Sequence, residues 1–338
     1  MRFLKWIAVV LVVLIVLYFL GPQPRRPTYS NELPAVPAAP AELERYIANQ
    51  ENSHKIKPDN EARIVWYNDS ARSVTEYAVV YLHGFSASQE EGDPVHYEFA
   101  QKFGCNLYLS RLSDHGIDTT EPLALLTADR MWNSAKQAYA IGKRLGKKII
   151  LMGTSTGGSL ALRLAAEYPE IAGLILLSPN IAINDPNAWL LNNHWGLQIA
   201  HVVKGRYNHA KDTSDIYAQY WNYRYRMEAA VQLEEFLEST MKESTFRKVK
   251  QPMLMLYYFK DEENQDAVVR VSAMKRMYRQ VSTPPSLKRE KAIPNAGDHV
   301  IGSYIKSKDI ESVISECDRF ALEILQIKPP PPAFNIEH

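Results

Sequence analysis

The stretch KIILMGTSTGGSLALRLAAEYPE, residues 148–170, indicates how the surrounding chain folds. It begins with an apolar run typical of a buried strand and continues into an Ala- and Leu-rich run typical of a helix. Ser155 stands at the junction, between Gly153 and Gly157. A sharp turn from strand to helix strains the central residue and crowds the positions two residues away, where glycine leaves room. The sequence therefore predicts a tight strand-to-helix turn with Ser155 at its apex.

A serine in this position is either a turn residue or a nucleophile. The Gly-x-Ser-x-Gly pattern at a strand-to-helix junction favours the nucleophile, because the side chain then lies beside the free backbone N–H groups of a helix start. A nucleophilic serine needs a general base, and the base needs a group that orients it. Of the nine histidines, His299 fits best, since the stretch AIPNAGDHVIGS places it in a loop between a strand and the last helix.

Negative charge that develops during acyl transfer needs two N–H donors, which form an oxyanion hole. One donor is expected from Thr156, directly after Ser155. The other is expected from Phe85, in the loop that follows the strand-like run EYAVVYL. We expect His83, which begins this loop, to hold the loop in place rather than to act as a base.

From about residue 60 onward, short β-branched and aromatic runs alternate with amphipathic runs, which predicts βαβ units and a mostly parallel sheet. Residues 180–250 break this alternation and are rich in aromatic side chains. A structureless loop of this length would be unusual in a compact domain, so we predict a helical cap over the sheet. Its aromatic residues either pack against the core or line a substrate site.

The amino-terminal residues have a different character. Arg2 and Lys5 are followed by an uncharged apolar run from Trp6 to Leu20. This run is either a cleaved signal peptide or a retained transmembrane helix, and the lack of a small-residue cleavage site after it favours a retained single-pass anchor. Basic residues beyond the run leave the orientation in the membrane open.

Composition argues against several classes of function. The 39 Lys and Arg residues are balanced by 38 Asp and Glu residues, which gives a net charge of +1. A nucleic-acid-binding protein usually carries a basic excess, so no nucleic-acid partner is expected. The two cysteines, Cys105 and Cys317, are too far apart in sequence to form a zinc site or a disulfide framework, so no metal is expected.

Several stretches together resemble the α/β-hydrolase superfamily over roughly residues 75–325. They are HGFS from His83, SRLSDHG at residues 110–116, the turn around Ser155 and NAGDHV around His299. The chain looks like the capped serine hydrolases that include monoacylglycerol lipases and bacterial carboxylesterases. The resemblance implies an eight-stranded, mostly parallel sheet, ester hydrolysis and no cofactor.

Two aspartates, Asp261 and Asp266, compete for the role of orienting His299. Counting from the end of the strand MLMLYYF favours Asp261, which lies where this family usually carries its acid. Counting back from the next helix favours Asp266, because DAVVRVSA resembles the family's Asp-x-x-Val stretch. The apolar pair Val268 and Val269 fixes the start of that helix, so we predict Asp266 as the acid and keep Asp261 as the alternative.

The predicted domains follow from these observations. They are a membrane anchor at residues 1–21, a proline-rich linker at 22–45, an α/β-hydrolase domain at 46–328 with the cap at about 180–250, and a tail at 329–338. The predicted function is a membrane-tethered serine hydrolase that cleaves small-molecule or lipid esters. A thioesterase or peptidase would use the same triad. A non-catalytic scaffold is the alternative of another class, but such a protein would be expected to have lost one of the three triad residues.

Overall fold

A seven-stranded sheet lies at the centre of the computed structural model, which describes residues 2–331. The strands of the described residues, in chain order, are β1 (Arg63–Val65), β2 (Thr75–Leu82), β3 (Asn106–Leu109), β4 (Gly146–Thr154), β5 (Gly173–Leu177), β6 (Tyr207–His209), β7 (Arg224–Arg226), β8 (Met253–Tyr257) and β9 (Lys288–Ala292). Of these, β6 and β7 pair with each other outside the central sheet. The α-helices are α1 (Arg2–Phe19), α2 (Pro40–Glu51), α3 (Val95–Lys102), α4 (Ala128–Leu145), α5 (Thr156–Glu167), α6 (Gly196–Lys204), α7 (Asp215–Tyr220), α8 (Met227–Thr240), α9 (Glu243–Phe246), α10 (Val271–Gln280) and α11 (Ile310–Arg319).

The strand order in the sheet is β1-β3-β2-β4-β5-β8-β9. Only β1 runs antiparallel to its neighbour, and the other strands pair in parallel. The expectation of eight strands was therefore wrong, since seven strands form this sheet in the described part of the chain. Upstream of β1, the chain is rich in proline, which cannot donate to a sheet ladder, and then forms α2.

Helices cover both faces of the sheet. The strands β4 and β5 are almost wholly buried, as expected of central parallel strands that are covered on both sides. One face packs against α2, α4, α5, α8 and α10. The other face packs against α3 and α11. This layering leaves the carboxyl ends of the parallel strands together at one edge, where open α/β sheets usually bind their ligands.

The proline-rich linker is extended, but part of it is bound to the domain. Trp132 Nε1 on α4 donates to the Ser30 carbonyl at 2.8 Å, and the Tyr168 hydroxyl donates to the Asn31 carbonyl at 2.6 Å. Tyr29, Leu33 and Val36 pack against the core. We call residues 28–36 the linker strap.

The predicted boundaries shift slightly at both ends of the domain. The helix α2 begins at Pro40, inside the predicted 22–45 linker. At the other end, α11 continues into a π-helical turn, Phe320–Ile324. Of the predicted tail at 329–338, residues 332–338 lie outside the described part of the chain.

Residues 180–250, predicted to be a helical cap, contain α6, α7, α8 and α9. They also contain an antiparallel ribbon formed by β6 and β7, which the sequence analysis missed. The aromatic residues of this segment differ in burial. Tyr220 and Trp221 are buried in a cluster with Ala87 and Val300, whereas Trp189 and Trp195 are exposed.

The amino-terminal helix α1 spans 18 residues, about 27 Å at 1.5 Å per residue. Its mean hydropathy is 2.3, and none of it is buried inside the protein. Within residues 2–331, it is the one helix that is long and apolar enough to cross a membrane. Length and composition alone do not separate an anchor from a signal sequence.

Candidate active site

The predicted turn around Ser155 is strongly strained. Ser155 has φ 52° and ψ −117°, a conformation that side-chain-bearing residues rarely adopt. A Cβ added to Gly157 would lie 1.8 Å from the Leu82 carbonyl oxygen at the end of β2, and one added to Gly153 would lie 2.5 Å from the Gly157 backbone. The two glycines are therefore required because β2, β4 and α5 approach one another closely here.

Backbone hydrogen bonds hold the strained residue in place. The Ser155 N–H donates to the Leu177 carbonyl at 2.9 Å, and the Ser155 carbonyl accepts from the Asn180 N–H at 2.9 Å. Both partners belong to the end of β5 and the loop after it. Ser155 is only 6% exposed.

The sheet topology brings the predicted site residues to one edge. Ser155 follows β4, and Phe85 lies in the loop after β2. Asp266 follows β8, and His299 follows β9. Because these four strands are parallel members of one sheet, their carboxyl ends all lie at the same edge.

Asp266 and His299 form a buried pair. Asp266 Oδ2 lies 2.6 Å from His299 Nδ1, and both side chains are buried. The other carboxylate oxygen of Asp266 accepts hydrogen bonds from the backbone N–H groups of Val268 at 2.8 Å and Val269 at 3.0 Å. Every oxygen of the carboxylate is thus engaged, which fixes the orientation of the imidazole ring.

The electrostatics of the pair favour a protonated imidazole. Burial acts to lower the pKa of His299, but the nearby carboxylates, Asp266 foremost and then Glu91 and Asp298, more than offset this, so the pKa lies above its ordinary value of 6.5. Asp266 is therefore placed to stabilise the imidazolium that would form if His299 took a proton.

Asp261, the alternative acid, lies in a different setting. Its side chain is on the surface and accepts hydrogen bonds from the backbone N–H groups of Glu263 at 3.0 Å and Asn264 at 2.8 Å. These bonds stay within its own turn, as is typical of an Asx turn. Of the two aspartates, only Asp266 is hydrogen-bonded to His299 in the described part of the chain.

Nε2 of His299 and the two candidate oxyanion donors have no hydrogen-bond partner among the described residues, so they are free to bind a substrate. Within residues 2–331, the buried His299 Nε2 has no hydrogen-bond partner. The backbone N–H groups of Phe85 and Thr156 make no hydrogen bond to any described residue. Buried donors and acceptors are normally paired, so groups of this kind at one sheet edge suit a bound substrate.

His83 has the structural role that the sequence suggests. Its Nε2 accepts from the Leu112 N–H at 3.0 Å, and its Nδ1 donates to the Gly84 carbonyl at 2.8 Å. Burial, aided by the neighbouring His115, lowers the pKa of His83 well below its ordinary value. A neutral His83 with both nitrogens engaged ties the Phe85 loop to the segment after β3.

Glu91 is a buried carboxyl group at this edge that the sequence analysis missed. Its side chain accepts a hydrogen bond from the Gly84 N–H, next to Phe85. Burial raises the pKa of Glu91 to about 7, although the Gly84 N–H and His299 act in the opposite direction. In sequence, Glu90 and Glu91 look like an ordinary solvated charge pair, so no local signal pointed to this position.

The predicted cap contacts the Phe85 loop directly. The Asn222 N–H donates to the Ser86 carbonyl at 2.7 Å. The rings of Phe85 and Tyr225 meet edge to face, with centroids 5.1 Å apart. One cap aromatic, Tyr225, therefore touches the candidate oxyanion residue Phe85 itself.

No cluster of His, Cys, Asp or Glu side chains suited to a metal ion occurs among the described residues. Cys105 and Cys317 are both buried and unpaired.

The sheet order, the strained serine turn and the crossover helices define an α/β-hydrolase fold. The chain belongs to the family described as serine aminopeptidase, S33, whose model matches residues 75–296. A thermostable monoacylglycerol lipase from Bacillus sp. (strain H-257) is 31% identical to it over 108 residues. That match spans 32% of this chain and 42% of the length of the lipase.

Solved structures of several hydrolases are similar in fold. A chain from work on LipS and LipT, two metagenome-derived lipolytic enzymes, has a TM-score of 0.62 at 18% identity, covering 79% of this chain and 98% of that one. Est1E from Butyrivibrio proteoclasticus, with ferulic acid bound, has a TM-score of 0.55 at 17% identity, with coverages of 79% and 95%. A soluble variant of monoglyceride lipase from Saccharomyces cerevisiae has a TM-score of 0.55 at 13% identity, with coverages of 77% and 90%.

Proposed function

We propose that this protein is a membrane-anchored serine hydrolase that cleaves acyl esters. Ser155 is the nucleophile, His299 the general base, and Asp266 the acid that orients His299. The observation that carries the proposal is the buried Asp266–His299 pair, at 2.6 Å, on the same sheet edge as the strained Ser155. Burying such a pair contributes little to stability by itself, which favours a catalytic role.

The proposed reaction follows from the positions of the protons. His299 Nδ1 donates to Asp266, so Nε2 is free to accept the proton of the Ser155 hydroxyl as its oxygen attacks the ester carbonyl carbon. The imidazolium then protonates the departing alcohol, and water repeats the sequence to release the acid. The Phe85 and Thr156 N–H groups hold the oxyanion in both steps.

We propose lipid esters as the substrate class. Part of the chain is similar to a monoacylglycerol lipase, and lipolytic enzymes share its fold. An apolar amino-terminal helix beside the hydrolase domain suits a substrate that resides in a bilayer. Because the family description names an aminopeptidase, amide substrates belong in the same test.

We propose that α1 is retained as a single-pass anchor within residues 1–21. Its 18-residue length and the absence of a small-residue cleavage site after Leu20 support retention. The linker at 22–45, the hydrolase domain at 46–328 and the cap at about 180–250 belong to the same proposal. Amino-terminal sequencing of the mature protein tests it, and a new terminus within residues 21–40 would contradict it.

The nucleophile is tested by a fluorophosphonate probe on the full-length protein in detergent. The probe should label the wild type and the control Ser53→Ala, which changes an exposed loop serine. Ser155→Ala should not be labelled, while its melting temperature stays near that of the wild type. Equal labelling of Ser155→Ala would refute the assignment.

The reaction is tested with nitrophenyl esters of graded chain length and with aminoacyl nitroanilides. Turnover of the esters, lost in Ser155→Ala, is the expected result. Turnover of the anilides alone would indicate a peptidase instead of an esterase. Lack of both labelling and turnover would favour the non-catalytic scaffold.

A further inference from the structure

The outer side of α6 is apolar and exposed. Ile199, Val202 and Val203 lie on this side, and Val202 is 88% and Val203 72% exposed. Gly196 and Ala200 lie on the opposite side and are buried. A helix on a water-soluble surface normally carries polar residues outward. The outer side of α6 therefore suits an apolar medium better than water.

The start of α6 is joined to the end of α1. The Trp195 N–H donates to the Pro22 carbonyl, and its ring nitrogen donates to the Leu17 carbonyl, both at 2.9 Å. His194 Nδ1 lies 2.7 Å from the Gly21 carbonyl oxygen, which accepts its hydrogen bond. The bond to Leu17 satisfies a carbonyl group that the end of α1 leaves unpaired, and the other two bonds hold the residues just after the helix. The two helices are thereby held in a fixed relation.

The depth of this contact is limited to the last turns of α1. The groove between the helices is lined by Leu14 and Tyr18 from α1 and by Ile199 and Val202 from α6. From Leu14 to Phe19, the end of α1, the axis rises about 7.5 Å. Helices that lie in a membrane surface bury their apolar side by about 5–10 Å.

We propose that α6 lies in the surface layer of the same bilayer that α1 crosses, with its outer side toward the acyl chains. We call this side the α6 membrane face, formed by Trp195, Ile199, Val202 and Val203. Tyr18 and Trp195, whose rings combine an apolar body with a polar edge, lie at the junction and suit the headgroup layer. This inference rests on the anchor proposed for α1.

A bilayer fits this face better than a second protein molecule does. The α6 membrane face is continuous with the α1 surface, which is exposed all around and needs an apolar environment along its length.

The full-length protein in phosphatidylcholine nanodiscs tests the proposal. A fluorophore is attached at Val202→Cys, and the matched control is Val74→Cys, at an exposed valine just before β2. The native cysteines are buried, which limits labelling to the new site. Fluorescence at position 202 should be quenched by lipids with nitroxide-labelled acyl chains and should not be quenched by iodide in the water. Fluorescence at position 74 should be quenched by iodide and not by the labelled lipids.

A third label at Leu11→Cys, in the middle of α1, separates the two proposals. If position 11 reports lipid while position 202 is quenched by iodide like position 74, the α6 proposal is overturned and the anchor stands. If position 11 is itself open to iodide, the anchor fails, and the α6 proposal with it. Shielding of position 202 from both quenchers would instead indicate a protein partner and would overturn the bilayer.

Discussion

Replacing Asp266 by asparagine should reverse the polarity of its contact with His299 while keeping its shape. In the wild type, one carboxylate oxygen accepts from the Val268 and Val269 N–H groups, and the other faces His299 Nδ1. The asparagine oxygen is expected to stay with the two backbone donors, because turning the amide around would leave both unpaired at about 1–3 kcal/mol each. The amide NH₂ then faces Nδ1, which must accept.

The consequence is a misplaced proton on the imidazole. With Nδ1 accepting, the single ring proton of neutral His299 moves to Nε2, the atom that should take the proton of Ser155. The same change in another serine triad lowers kcat by about 10⁴, or about 5 kcal/mol in activation free energy. We expect a loss of this size for Asp266→Asn.

Steady-state hydrolysis of a nitrophenyl ester measures the loss, with Asp261→Asn as the matched control. Asp261→Asn should stay within a few fold of the wild type, because its side chain bonds only within its own surface turn. Both variants should keep the melting temperature within a few degrees. The acid assignment would be wrong if Asp261→Asn lost activity by orders of magnitude while Asp266→Asn did not.

Three further predictions concern the same edge of the sheet. Gly157→Ala should lower the free energy of unfolding by about 3 kcal/mol or more, because its Cβ would meet the Leu82 backbone. The control Gly173→Ala should lower it by less than about 1 kcal/mol, because its Cβ would meet only the flexible end of Leu325, at 3.0 Å. Urea unfolding of both variants measures the difference. The folded pKa of Glu91 lies near 7, above its ordinary 4.5, so its contribution to the free energy of unfolding should fall by about 3 kcal/mol as pH rises through that window. Glu91→Gln should remove this fall, and equal pH dependence of stability in both proteins would contradict the burial argument. The pH profile of kcat/KM should lose activity as pH falls through the His299 pKa, at a midpoint above 6.5, because a protonated imidazole cannot accept the Ser155 proton.

Some parts of this site could be predicted because their signals are local. The turn at Ser155 is indicated by two glycines between a strand-like and a helix-like run. The aspartate could be placed by the apolar pair Val268 and Val269, whose backbone N–H groups bind Asp266 in the structure. In both cases, the residues that decide the geometry are within a few positions of the residue that they place.

Other parts depend on contacts between distant segments, and the sequence did not predict them. The hydrogen bond between Trp132 and Ser30 joins residues 102 positions apart in the sequence. Proline content therefore predicts an extended linker but not the surface on which the linker binds. Glu91 is buried by a short turn that folds back beneath Gly84. The strands β6 and β7 have three residues each, too few for an alternating pattern to appear.

The linker strap limits where the proposed enzyme can work. A free, extended segment of residues 22–45 could reach about 75 Å from the membrane. With residues 28–36 held by Trp132 on α4 and by Tyr168 just after α5, only residues 20–27 separate α1 from the strap, a span of at most about 28 Å. If α1 is the anchor proposed above, this short connection would keep the enzyme near its membrane. Its substrates would then be molecules that diffuse laterally in that membrane or that enter the thin water layer above it. Its turnover rate would then depend on the number of substrate molecules per unit area of that membrane, and it would not hydrolyse esters in a neighbouring membrane.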